Sequence, residues 1–204
     1  LPTMMAFSTA SSSSVLERLR RGLLALLLCV AGAVSGAEIE INNPQLVASD
    51  DGYVLSADFT FDLNERLEDA VSKGLMLHFV TEFVLTRPRW YWLDETLVRS
   101  SQTYRLSYHA LTRQYRLTTG GLHQSFDSLS DALRVLRRLR NWEVVEKGDG
   151  SGVRPGETYV AALRLRLDIS QLPRPFQISA LGNRDWSLAS DWKTWQVTIP
   201  VEAR

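Results

Sequence analysis

From Tyr53 to Leu63 every odd position of the chain is apolar. Tyr53, Leu55, Ala57, Phe59, Phe61 and Leu63 are apolar, and Ser56, Asp58, Thr60 and Asp62 fall between them. A period of two belongs to an extended strand with one buried face and one wet face. Such a strand requires a second layer to cover its apolar side. Asp50-Asp51-Gly52 just before it is a turn signal, and 38–47 reads as its partner strand, which predicts an opening hairpin.

The same alternation returns twice. Over 158–169, Tyr159, Ala161, Leu163, Leu165, Leu167 and Ile169 share one face, and Arg164, Arg166 and Asp168 share the other. Over 193–201, Trp195, Val197, Ile199 and Val201 line up. Residues 104–110 and 115–119 flank Leu111-Thr112-Arg113-Gln114 and predict another hairpin. Its alternating Arg105, Ser107, His109 and Arg116 form a solvated face. The stretch 75–85 is apolar on both faces, which predicts a central strand between two layers.

Two short helices interrupt the strands. Asn64 stands at an N-cap before Glu65, Leu67, Ala70 and Val71, and Gly74 closes that helix. Ser128, with Asp131 three residues on, starts a second helix with Leu129, Ala132, Leu133, Leu136 and Leu139 on one stripe and Arg134, Arg137, Arg138 and Arg140 outside it. Leu172-Pro173-Arg174-Pro175 reads as a stiff extended connector. With roughly eight strands following one another, the expectation is a mainly β, antiparallel two-sheet sandwich, immunoglobulin-like in style, with two short inserted helices. The alternative is an α+β antiparallel sheet with helices on one face.

The first residues set the compartment. Arg18, Arg20 and Arg21 precede an uncharged, leucine-rich run over 22–34, which ends in Ser35-Gly36-Ala37. A basic region, a short apolar core and small residues at the cut are the three parts of a secretory signal. A bilayer span needs about 20 apolar residues, more than this run supplies. Residues 1–37 are therefore expected to be a signal peptide and 38–204 a single β-rich periplasmic domain, with an uncleaved inner-membrane anchor as the alternative. Membrane contact is expected only through the signal segment before cleavage.

The chain carries 23 Lys and Arg against 23 Asp and Glu, and one cysteine, Cys29, which lies inside the signal. A neutral domain has no bulk attraction for nucleic acid, and none is expected as a partner. A cysteine-free mature part removes disulfides, thiol nucleophiles and zinc ribbons together. His78, His109 and His123 stand in separate segments without a ligand-spaced partner, so neither a metal nor any other cofactor is expected. An enzyme is not expected. The one hydrolase arrangement worth weighing pairs His109 with Asp168 or Asp185. A third reading holds a small apolar ligand among Phe59, Phe61, Phe79 and Phe83.

The segments Tyr104-Arg105-Leu106-Ser107-Tyr108-His109-Ala110-Leu111-Thr112-Arg113-Gln114-Tyr115, Ser128-Leu129-Ser130-Asp131-Ala132-Leu133, Leu165-Arg166-Leu167-Asp168, Gln171-Leu172-Pro173-Arg174-Pro175-Phe176-Gln177 and Asp185-Trp186-Ser187-Leu188-Ala189-Ser190-Asp191-Trp192 carry a resemblance. Together they resemble an exported proteobacterial family known as a domain of unknown function, DUF4390. The resemblance implies export and a gene neighbourhood shared with a nitrogen-type sensor kinase, and it transfers no catalytic residue. The expected function is a non-enzymatic module that binds a protein or peptide in the envelope. Its surface is expected around the proline connector and 185–192, at Arg174, Arg184, Trp186 and Trp192, because a rigid connector loses little entropy on docking and tryptophans supply contact area.

Overall fold

The computed structural model describes residues 38–91, 94–146, 151–180 and 182–199. The expected signal peptide, residues 1–37, lies outside the described residues, as does Val201, expected on the last strand. Nine strands are described: β1 (Glu40–Ser49), β2 (Gly52–Thr60), β3 (Leu77–Arg87), β4 (Glu95–His109), β5 (Gln114–Thr119), β6 (Leu122–Phe126), β7 (Arg138–Glu146), β8 (Thr158–Leu167) and β9 (Lys193–Thr198). Three α-helices accompany them: α1 (Glu65–Ser72), α2 (Leu129–Leu136) and α3 (Arg174–Ala180).

The strands form two antiparallel sheets. One has the order β1-β2-β7 and the other β6-β5-β4-β3-β8-β9. The alternating residues of β2 behave as their period requires, since Leu55, Ala57 and Phe59 are all buried. They join one apolar core with Leu77, Phe79, Phe83 and Leu85 of β3 and with Tyr159, Ala161, Leu163, Leu165 and Leu167 of β8. This is the two-sheet arrangement expected from the alternation. Pro44 is accommodated because β1 is an edge strand and shifts register between Asn42 and Gln45.

Both predicted helices start where their caps stand. The Asn64 side chain accepts the Leu67 N–H at 2.9 Å, and the Ser128 hydroxyl accepts the Asp131 N–H at 3.1 Å. Each helix carries the chain from one sheet to the other. α1 joins β2 to β3, and α2 joins β6 to β7.

Three local expectations are corrected. The basic stripe on the second helix does not form, because α2 ends at Leu136 with Arg137 as its C-cap. Arg138 and Arg140 then belong to β7, where Arg140 pairs with Asp58, and Arg137 pairs with Asp62 and lies over the Phe61 ring. The proline connector is the entry to a helix. Pro175 occupies the first turn of α3, where its missing N–H costs no hydrogen bond. Finally, β3 is covered on one face only. Its odd positions from Leu77 to Leu85 are buried, whereas His78, Val80, Glu82 and Val84 are half-buried beside the exposed Arg99, Ser101, Thr103 and Arg105 of β4.

Candidate functional site

The four residues expected to bind a partner do not converge. Arg174, the first residue of α3, and Arg184, in a 3-10 turn at Arg184–Trp186, are both exposed. Trp186 is 3% exposed, and its ring lies 5.8 Å from that of Phe176 on α3. Trp192 lies elsewhere, beside β8, where the Arg164 guanidinium sits 4.7 Å above its ring.

Trp186 forms part of a groove of about 540 Å³ between α1 and α3, with Arg66, Ala70, Lys73, Leu75 and Phe176 among its other walls. Local bonds hold this groove in shape. The Asn64 side chain, while capping α1, also donates through Nδ2 to the Asp185 carbonyl at 2.7 Å. It thereby ties the start of α1 to the turn that carries Trp186. Gln177 fastens α3 by donating to the Ser170 and Leu172 carbonyls, each at 2.7 Å. The groove is apolar at Ala70, Leu75, Phe176 and Trp186 and basic at Arg66, which has no ion-pair partner among the described residues. Lys73 is engaged with Asp69 at 2.7 Å.

Trp186 has an unmet requirement: its indole N–H is buried and finds no hydrogen-bond acceptor among the described residues. A buried donor left unpaired costs about 1–3 kcal/mol. Phe176, 39% exposed, and Ile178, 73% exposed, add apolar surface on the same helix.

A second cluster lies on the outward face of the larger sheet. Glu82 of β3 accepts from Arg164 at 2.9 and 2.6 Å and from Arg166 at 3.3 Å. Burial pushes the Glu82 carboxyl up, but the hydrogen bonds and charges of the two arginines outweigh it and hold the group below its ordinary value. Asp168 behaves alike. Burial raises it, and the Ser170 hydroxyl and N–H together with Arg166 bring it down. Its neighbour is His78, whose carbonyl accepts the Asp168 N–H at 2.7 Å. His78 itself is held below the usual histidine range by burial and by Arg105, against an opposing pull from Asp168.

The hydrolase pairing fares differently. His109 sits at the end of β4, opposite Gln114 and four residues beyond Arg105, the partner of His78. Of the two carboxylates weighed as its partner, Asp168 stands beside His78, and Asp185 lies in the 3-10 turn tied to Asn64. Phe59, Phe61, Phe79 and Phe83 are buried within the core, with the Phe61 and Phe79 rings 6.0 Å apart. Trp192 also lines a cleft of about 610 Å³ with Glu38, Glu40, Asp62 and Lys193. No group of three or more His, Cys, Asp or Glu that could hold a metal ion occurs among the described residues.

A family model described as a domain of unknown function, DUF4390, matches residues 36–196. The chain belongs to that family. No curated protein and no solved structure matches it. The DUF4390 match runs through β1 to β8 and takes in both the groove and the arginine cluster.

Sequence reasoning found Trp186 but missed Ala70, Leu75 and Phe176. The apolar Phe176 and Ile178, just after the segment read as a connector, were the available signal.

Proposed function

We propose that this DUF4390 domain acts after export as a non-enzymatic module that binds a peptide or protein segment in the periplasm, with the groove between α1 and α3 as its site. The observation that carries the reading is Trp186, a buried tryptophan whose N–H finds no acceptor among the described residues and which walls an apolar groove. A peptide supplies what such a groove lacks. An apolar side chain packs against Phe176, Ala70 and Leu75, a backbone carbonyl accepts from the indole, and an acidic neighbour meets Arg66. The groove's volume, about 540 Å³, suits one or two side chains of a segment rather than a whole domain face.

Trp186→Phe keeps most of the ring and removes the donor. Peptides selected from a random library against the full chain are expected to share an apolar anchor. Their affinity for the variant should fall about fivefold to tenfold, the equivalent of one hydrogen bond of about 1–1.5 kcal/mol. Selected peptides that bind the variant equally well, or no enrichment at all, would remove the groove from consideration.

Export rests on the basic, apolar and small-residue order of 18–37. Among the described residues no helix is long and apolar enough to cross a membrane. N-terminal sequencing of the native product is expected to begin at Glu38. Recovery of the protein with its leucine run attached would contradict cleavage.

A further inference from the structure

We infer that the outward face of the six-stranded sheet is an anion-binding surface whose occupant is an acidic, extended segment of a protein partner. This inference concerns a different face from the groove and does not rest on the groove reading.

The register brings the surface together. On β3, His78, Val80, Glu82 and Val84 face outward, and opposite them on β4 stand Arg105, Thr103, Ser101 and Arg99. β8 adds Arg166 opposite Val80 and Arg164 opposite Glu82. β5 adds Thr118 opposite Arg105 and Arg116 opposite Ser107. Five arginines from three strands thus share one face, and Glu82 and Asp168 are the carboxylates among them.

The carboxylates are already engaged. Glu82 is shared by Arg164 and Arg166, and Asp168 meets Arg166 at 3.4 Å. Arg99, Arg105 and Arg116 have no ion-pair partner among the described residues. Arg116 also buries its Nε–H without an acceptor. Between these cations stand Ser101, Thr103, Ser107 and Thr118, side chains too short to screen them and able to donate hydrogen bonds of their own. Burial, and after it the charge of Arg105, hold the His78 imidazole below its usual range.

The chain as a whole balances 23 basic against 23 acidic residues, so unpaired cations here mean a charge asymmetry rather than a basic protein. That asymmetry selects the occupant. A long polyanion such as nucleic acid draws its affinity from many phosphate contacts and long-range attraction, and three free guanidinium groups on a neutral chain supply neither. A bilayer is the competing anionic surface, since Trp90 and Tyr91 are exposed in the turn between β3 and β4, and vesicles are therefore an arm of the test. Arg99 and Arg105 are six residues apart on one strand, about 20 Å at strand rise. An extended segment of six or seven residues spans that distance, with a carboxylate near each end held by a guanidinium fork and the groups between them met by the Ser101 and Thr103 hydroxyls. A face of short side chains with arginines at its ends fits an extended segment.

A fluorescein-labelled deca-glutamate peptide titrated into the full chain tests this by anisotropy. Saturable binding that weakens as salt is raised is expected. Arg99→Glu/Arg105→Glu/Arg116→Glu should weaken it at least about tenfold, and Arg138→Gln, on the exposed side of β7 in the other sheet, should leave it unchanged. If charge reversal lowers Tm, Arg99→Gln/Arg105→Gln/Arg116→Gln takes its place, with the same direction of change expected. The inference is overturned by absence of saturable binding, by binding that survives both triple variants, or by tighter binding to heparin or to phosphatidylglycerol vesicles than to the peptide.

Discussion

Phe83→Ala is expected to lower stability by about 3–5 kcal/mol, whereas Thr103→Ala, one strand away, should cost no more than about 1 kcal/mol. Phe83 is fully buried on the inner face of β3, opposite Leu163 of β8 and Ser100 of β4. Its neighbours on both strands are held by antiparallel ladders that are regular from Leu77 to Leu85 on the β4 side and from Phe79 to Thr86 on the β8 side, so the space left by the ring cannot collapse, and the cavity cost adds to the lost burial. Thr103 points the other way, is exposed, and has little to lose beyond the strand preference of a β-branched side chain. Equilibrium urea unfolding of the two variants measures the difference. Comparable losses would mean that the sheet is covered on both faces, and the arginine surface would then have no access to a partner.

That two-sidedness shows how far the sequence could be read. Alternation located β2 and β8 and told which of their residues face inward, because a period of two is a local property. Asn64 and Ser128 marked their helices for the same reason: a cap is satisfied within three residues. The extent of α2 was not legible. Arg137, Arg138 and Arg140 continue a helical pattern, and only the pairing of β7 with β2, far back in the chain, draws Arg138 and Arg140 into strand geometry while Arg137 stays as the helix cap. α3 was hidden by its prolines, since Pro173 and Pro175 read as extended until one of them is placed in a helix's first turn.

The surfaces depend still more on register. Arg105, Arg116, Arg164 and Arg166 were each readable as solvated, yet nothing local says that β8 pairs with β3 rather than with β7. Without that pairing the arginines of β4 and β8 have no common face. The groove has the same origin. Trp186 was visible as an unusual residue, but α1, which supplies Ala70 and the Asn64 tie, lies more than a hundred residues earlier. The long-range partner, not the local pattern, makes each site.

The small sheet offers the sharpest test of this dependence on register. Gly52→Ala is expected to destabilise the chain by more than about 3 kcal/mol. Gly52 opens β2 with φ +152°, and a Cβ placed there would stand 1.9 Å from the Val145 carbonyl oxygen. That atom is backbone of β7, and it has no rotamer by which to move aside. Val144 and Val145 are both buried, so β7 cannot retreat without lifting them from the core. The methyl group must therefore break the end of the β2–β7 pairing, where Gly52 lies opposite Glu146 and Tyr53 opposite Val145. Gly120→Ala separates this effect from backbone strain alone, because Gly120 has φ +57° and nothing within 4 Å of an added Cβ. The Gly120 change should cost about 1 kcal/mol, the ordinary penalty of a left-handed residue with a side chain. Urea unfolding ranks the two, and hydrogen exchange should show faster amide exchange in β7 for the Gly52 variant only. If the two substitutions cost the same, β7 does not lie against Gly52, and the order of the three-stranded sheet is wrong.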